Sequence, residues 1–326
     1  MKTAATLFAG ALVAGLAMAG TALGQDYPNK PITVVVPFAA GGPTDTVARL
    51  VAEAMSADLG QQVVVQNVGG AGGTLGAGQV ATASNDGYTL LLHHIGMSTA
   101  PTLYRSLPYD PLTDFATIGL VTSVPMTLVA RKDFEPNTLE ELIAHVKENG
   151  ENLTYAHAGI GSASQLCGML FMEALETTMT TVPYQGSGPA MTDIIGGQID
   201  LLCDQTTNTT NQIKAGEVKA YAVTTPERLE TLPDLPTTTE GGLPDMVVGV
   251  WHGLYAPAGT DPAIIERLEA SLQVALTNET VVSRFAELGT EPAAPEDVTP
   301  EALTQTLTDQ IALWKGIIEA AGVYAE

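Results

Sequence analysis

The chain has 326 residues, 45% of them hydrophobic, enough for one large or two modest domains. Its net charge of -23 repels nucleic acid and anionic membrane surfaces, and disfavours anionic small molecules unless local donors outweigh the field. The two cysteines, Cys167 and Cys203, form no CxxC and no metal-type spacing with histidine, so a metal centre and a redox motif are both excluded as readings.

The first 24 residues have one charge, Lys2, then an apolar stretch ending in small residues at "ALG". This is the pattern of a cleavable secretory signal peptide. No cysteine follows the stretch, which argues against a lipoprotein anchor, and no later segment has eighteen uninterrupted apolar residues. Loss of Lys2 takes the charge from -23 to -24. The mature protein is expected to be soluble and periplasmic. Outside the cytoplasm two cysteines tend to pair, so a Cys167–Cys203 disulfide is expected.

Strand and helix then alternate. "ITVVVPF" (32–38) reads as a buried strand and "TDTVARLVAEAMSA" (44–57) as an amphipathic helix with Val47, Leu50, Val51, Ala54 and Met55 on one face. "VVVQ" (63–66) is a second strand, "GGAGGTLGAG" (69–78) a glycine-rich loop entering a helix, and "YTLLLH" (88–93) a third strand. "TLEELIAHVKEN" (138–149) is a helix with a capping box, Thr138 and Glu141. "LTYAH" (153–157), "AGIGSASQ" and "LCGMLFMEAL" (166–175) repeat the strand–turn–helix unit. A strand over 180–184, helices near 187–196 and 206–215, strands over 199–203 and 219–225, and helices near 261–277 and 299–321 follow. The alternation predicts an α/β fold with largely parallel sheets. Two such units predict two lobes, 25–124 plus 251–326 and 125–250, with crossings near 124 and 250.

In open α/β sheets ligands sit where strand ends meet helix N-termini, whose free N–H groups suit carboxylate or phosphate. "PFAAGGPTD" and "AGIGSASQ" have that architecture, with Thr44, Ser162 and Ser164 adding hydroxyls. Gly72 in the second glycine-rich loop is a further candidate. "GAGQVA" (76–81) matches only a relaxed dinucleotide pattern, without a ribose-binding acid, and no Walker A lysine occurs. "GMSTA" (96–100) is a near miss to GxSxG, and no base is evident for Ser98. Of His93 and His94, which end a strand, one is expected to face a cleft. Tyr184 is a candidate cleft wall, and Asp204, ending "IDLLC", reads equally as a ligand-orienting acid or a helix cap. No arginine lies within the two loops, and Arg49, four residues after Asp45, is expected to pair with it.

The stretches "YPNKPITVVVPFAAGGPTDTVAR", "GGAGGTLGA" with "DGYTLLL", "LYRSLPYDPLTDF", "GIGSASQL", "VPYQGSGPAMTDIIGGQIDL", "IKAGEVKAYAVTT" and "LPTTTEGGLPD", in this order and spacing, resemble the Bug family of extracytoplasmic solute receptors. The likeness covers essentially the whole mature chain. It implies a two-lobed periplasmic binding protein without catalysis or cofactor, acting as a monomer that hands a small organic acid to integral membrane transporter subunits. Its family's first loop falls on Phe38, Ala39, Ala40, Gly42, Thr44 and Asp45, its second on Ser162, Ala163, Ser164 and Gln165, and its strand-end acid on Asp204. His94, Tyr184 and Gly72 complete the candidate set. The chain departs from the commoner family pattern at "HHIGM" and "CDQTTNTT". A secreted hydrolase using Ser98 or Ser162, and an accessory receptor for a sensor kinase, are the competing readings.

Overall fold

The computed structural model describes residues 27–325. The leader read over residues 1–24 lies outside them. Strand β1 (Ile32–Val36) stops where Pro37 has no amide hydrogen to give the ladder. Helix α1 (Pro43–Leu59) buries Val47, Val51 and Met55, one turn apart, and ends at Gly60, whose left-handed backbone (φ 65°) favours glycine. Strands β2 (Val63–Asn67) and β3 (Thr89–His94) follow as the hydrophobic pattern predicts, whereas helix α2 (Thr74–Ala81) begins inside the stretch read as a glycine-rich loop over 69–78. Helix α3 (Gly96–Leu103) and the 17-residue strand β4 (Phe115–Arg131) do not. Strand β4 carries Gly119 and Pro125, which break its signal at the sequence level.

Helix α4 (Leu139–Asn149) has the predicted cap: Glu141 N–H donates to Thr138 Oγ1 at 3.2 Å. The return bond differs, because the Glu141 carboxylate accepts from Asn137 N–H, one residue before the cap. Strand β5 (Thr154–His157) leads to α5 (Ala163–Ala174), which starts three residues before the predicted 166 because Ser162 caps it. Strand β6 (Thr180–Pro183), helix α6 (Ser187–Ile195), strand β7 (Leu201–Gln205), helix α7 (Thr206–Lys214) and strand β8 (Val218–Val223) complete this half. Strand β9 (Gly249–Pro257), helices α8 (Pro262–Leu276) and α9 (Glu279–Glu287), the short β10 (Glu291–Pro292) and helix α10 (Pro300–Ala321) end the chain.

The strand order is β2-β1-β3-β9-β4-β7-β5-β6, with β8 and β10 also paired to β4. Strands β2, β1 and β3 are mutually parallel, as are β6, β5 and β7. The expectation of largely parallel sheets is corrected at the centre. There β3 meets β9, β9 meets β4, and β4 meets β7 and β8, all antiparallel. The reason is that the strand leaving one half and the strand returning to it lie side by side, so no crossover helix separates them. Strand β4 serves both halves. Phe115 to Pro125 pair with β9, and Met126 onward pair with β7 and β8.

The expected disulfide joins Cys167 on α5 to Cys203 on β7, with Cα atoms 6.0 Å apart and both side chains fully buried. Beside it the Tyr155 hydroxyl donates to the Ser164 carbonyl at 2.6 Å and accepts from Cys203 N–H at 3.2 Å.

Candidate functional site

Four helices aim their N-termini at one small cavity. The first turn of α1 contributes Gly42, Pro43 and Thr44, α5 contributes Ser162, Ala163 and Ser164, α6 contributes Ser187, and α7 contributes its cap residue Gln205. Phe38, His94, Ala158 and Asp204 close the walls. The N-termini of α1, α6 and α7 lack a side-chain cap. Their first N–H groups therefore have no cap oxygen, and four converging helix dipoles place partial positive charge at the cavity.

Several polar atoms there are already committed. The Ser162 hydroxyl donates to the Gly159 carbonyl at 2.6 Å and accepts from Gln165 N–H, as a helix cap does. Ser164 Oγ accepts from Ala158 N–H at 2.9 Å and lies 3.2 Å from Ser162 Oγ, whose proton is already given to Gly159, so Ser164 is the donor of that long pair and a ligand that takes its proton breaks only this contact. Ser187 donates to Asp204 Oδ1 and Asn208 donates to Asp204 Oδ2, at 2.9 and 2.7 Å. Thr44 Oγ1 meets His252 Nε2 at 3.3 Å.

His94 stacks on Phe38, with ring centroids 4.7 Å apart. Burial, reinforced by His93 and His252, holds its pKa well below the ordinary value, so the ring is neutral. Its Nδ1 accepts from Gly96 N–H at 2.9 Å, which leaves the proton on Nε2 as a donor. Among the described residues Asp204 is the only acid lining the cavity, and no Lys or Arg lines it. Burial raises its pKa to about 6, against the opposing hydrogen bonds from Asn208, Gln205 N–H and Ser187.

Eight of the predicted residues thus come together: Phe38, Gly42, Thr44, His94, Ser162, Ala163, Ser164 and Asp204. The others lie elsewhere. Ala39 N–H donates to the Gln185 carbonyl at 2.9 Å. Asp45 braces the first loop, accepting from Gly41 N–H, Arg49 and Asn67. Burial pushes its carboxyl up, but those three donors outweigh it and hold the pKa below the usual carboxylate range. Gln165 accepts from Gly161 N–H at 3.2 Å. Ala40 and Tyr184 line a separate open groove, where the Tyr184 hydroxyl donates to Asp193.

Gly72 sits at a contact between the two halves. Its φ is +60°, and a Cβ there would lie 1.8 Å from the Ile160 carbonyl oxygen. Tyr104 spans the same contact, donating to the carbonyls of Ala71 and Ile160. Thr99 adds a bond to the Gly161 carbonyl at 3.1 Å. The halves are therefore closed on each other around the cavity.

Pro43, Ala158 and Ser187 line the cavity without having been singled out, and Gln205 joins it as the polar neighbour of Asp204. The motif "YQGSGPA", a glycine turn before a helix, carried the signal for Ser187. Ser98 donates to the Ile95 carbonyl, and neither it nor Ser162 has a histidine partner among the described residues. Among those residues no His, Cys, Asp and Glu group is placed to hold a metal, and no helix is long and apolar enough to cross a membrane.

Residues 47–323 match the model of the tripartite tricarboxylate transporter family receptor. The chain belongs to this receptor family. Its members are substrate-binding receptors, not enzymes, which removes the hydrolase reading. The receptor chain is 54% identical over 316 residues to an Agrobacterium vitis protein, "UPF0065 protein in the TAR-I ttuE-ttuC' intergenic region", covering 97% of this chain and 91% of that one. It is similar to the periplasmic binding protein BugD, with 51% identity, a TM-score of 0.90 and coverage of 92% and 100%. It is also similar to MatC from Rhodopseudomonas palustris with bound malate, with 42% identity, a TM-score of 0.87 and coverage of 90% and 100%. The receptor therefore has the two-lobed periplasmic binding protein fold.

Proposed function

We propose that this protein is a periplasmic receptor that captures a small dicarboxylate between lobes 25–124 plus 251–326 and 125–250 and delivers it to the membrane subunits of a tripartite tricarboxylate transporter. The observation that carries the reading is the convergence of four helix N-termini on a cavity that, among the described residues, has no lysine or arginine. A carboxylate is bound there by backbone N–H groups, the Ser164 hydroxyl and the His94 Nε2–H. Each hydrogen bond to a charged oxygen contributes about 1.5–3 kcal/mol, so four to six reach micromolar affinity after association costs. Two carboxylates suit donors on opposite walls, and contact with both walls favours the closed form. The malate-bound relative supports this class of ligand.

Calorimetry against aliphatic and aromatic mono-, di- and tricarboxylates tests the reading. A dicarboxylate is expected to bind at micromolar concentration and its diester not at all. Ser164→Ala is expected to weaken the acid by about 1–3 kcal/mol. Equal binding of acid and diester would refute the carboxylate assignment.

A further inference from the structure

One cavity group carries an acceptor that a carboxylate oxygen cannot satisfy. Gln205 ends β7, caps no backbone amide with its side chain, and is only 2% exposed. It lines the cavity, and its Oε1 has no hydrogen-bond partner among the described residues. A buried amide oxygen without a donor is costly, and such groups usually mark a place where something else binds. Its neighbour Asp204 supplies no hydrogen while it is ionised. The Asp204 oxygens already accept from Ser187 and Asn208.

The cavity is therefore divided by polarity. Ser164 and His94 offer hydrogens, whereas Gln205 asks for one. A plain dicarboxylate offers acceptors only and leaves Gln205 Oε1 unpaired, whatever it takes from the amide nitrogen. A hydroxyl on the carbon chain between two carboxylates supplies the missing hydrogen and remains neutral beside Asp204. Resting on the dicarboxylate reading above, we infer that Gln205 is a specificity-determining residue whose Oε1 accepts a hydrogen bond from a ligand hydroxyl, so that the receptor selects hydroxy-dicarboxylates. A site built around a substrate hydroxyl discriminates against the analogue lacking it far more strongly than an apolar pocket discriminates by size.

The test is calorimetry with succinate and with each enantiomer of malate, which differ by one hydroxyl. Wild type is expected to bind one malate enantiomer at least about 10-fold more tightly than succinate. Gln205→Met, close in shape and without a strong acceptor, is expected to bring the two acids within about 2-fold, by weakening malate while succinate is unchanged or tighter. Gln205→Glu retains an acceptor but adds an acid beside Asp204, and is expected to weaken both acids while keeping malate ahead of succinate. Near-ultraviolet circular dichroism confirms that each variant is folded. Equal wild-type affinities would overturn the inference while leaving the dicarboxylate reading intact. So would an equal loss of both acids in Gln205→Met, since the amide would then serve a carboxylate. Failure of wild type to bind either acid at millimolar concentration would defeat the dicarboxylate reading and this inference together.

Discussion

The two principal walls of the cavity are built alike and braced differently. Each is a strand running through a small-residue turn into a helix: β1 into α1, and β5 into α5. The first turn is held by charge, with Asp45 turned away from the cavity onto Arg49, Asn67 and Gly41 N–H. The second is held by a covalent bond and a buried hydroxyl, Cys167–Cys203 and Tyr155, which tie α5 to the end of β7. Their acids follow suit. Asp45, paired with a cation, has a depressed pKa, whereas Asp204, buried among neutral donors, titrates near 6. What separates them is the partner, because both are buried. A site for anions places its ion-paired acid outside the cavity and keeps inside only an acid that can be neutralised.

Removing the covalent brace is the strongest way to break that contrast. Cys167→Ala with Cys203→Ala is expected to cost roughly 3–4 kcal/mol of stability by the chain-entropy model, read from urea unfolding. A loss below 1 kcal/mol would mean that Tyr155 and packing suffice. Bringing the two walls together is tested next. Gly72→Val is expected to lower dicarboxylate affinity by about 100-fold, because its side chain collides with the Ile160 carbonyl across the contact that closes the halves. Unchanged affinity would show that binding does not need this contact.

The charge brace is smaller. Asp45→Ala is expected to cost about 2 kcal/mol at pH 7, mainly from the Gly41 N–H and Asn67 amide left without a partner. Arg49 is half exposed and turns to water. The folded pKa of Asp45 is depressed, so its contribution is present above the ordinary carboxylate range and is lost as pH falls through the folded value. Wild type and variant should therefore converge in stability in acid. Asp204 gives the opposite sign and the smallest effect. An anion beside it raises its pKa further, so ligand binding takes up a proton. Affinity should rise as pH falls from 8 towards 6, by no more than about tenfold per unit. His93, His94 and His252 are already neutral there, since burial holds each below its ordinary value. Asp204→Asn should flatten the profile. A slope that survives in this variant would assign the proton elsewhere.

The sequence made much of the two principal walls legible because their signals are local. Glycine and hydroxyl residues stand between an apolar strand and a helix of clear period, and Arg49 falls one turn after Asp45. Tyr184 illustrates the limit: it follows β6, one residue past the strand's end, and its direction depends on Asp193 in the next helix. The remaining walls depend on strand order. Gln205 reaches the cavity because β7 pairs with β4, where Met126 lies opposite it. His252 reaches Thr44 because β9 is inserted between β3 and β4. Neither adjacency follows from periodicity, and β4 itself was concealed by Gly119 and Pro125.

Strand β9 also sets an order of assembly. The block β5, β6 and β7 closes over short stretches of chain, with Tyr155 opposite Thr181 and Leu201. Strand β3 must wait for a partner far downstream, since Leu91 pairs with Tyr255. Contacts that span so much chain form slowly, because loop closure comes before any gain from pairing. As the chain emerges from N to C terminus, the inserted half can acquire its pairings while β3 still presents an open edge. The first half is then completed by the segment that arrives last, and the cavity comes into being only at that final step.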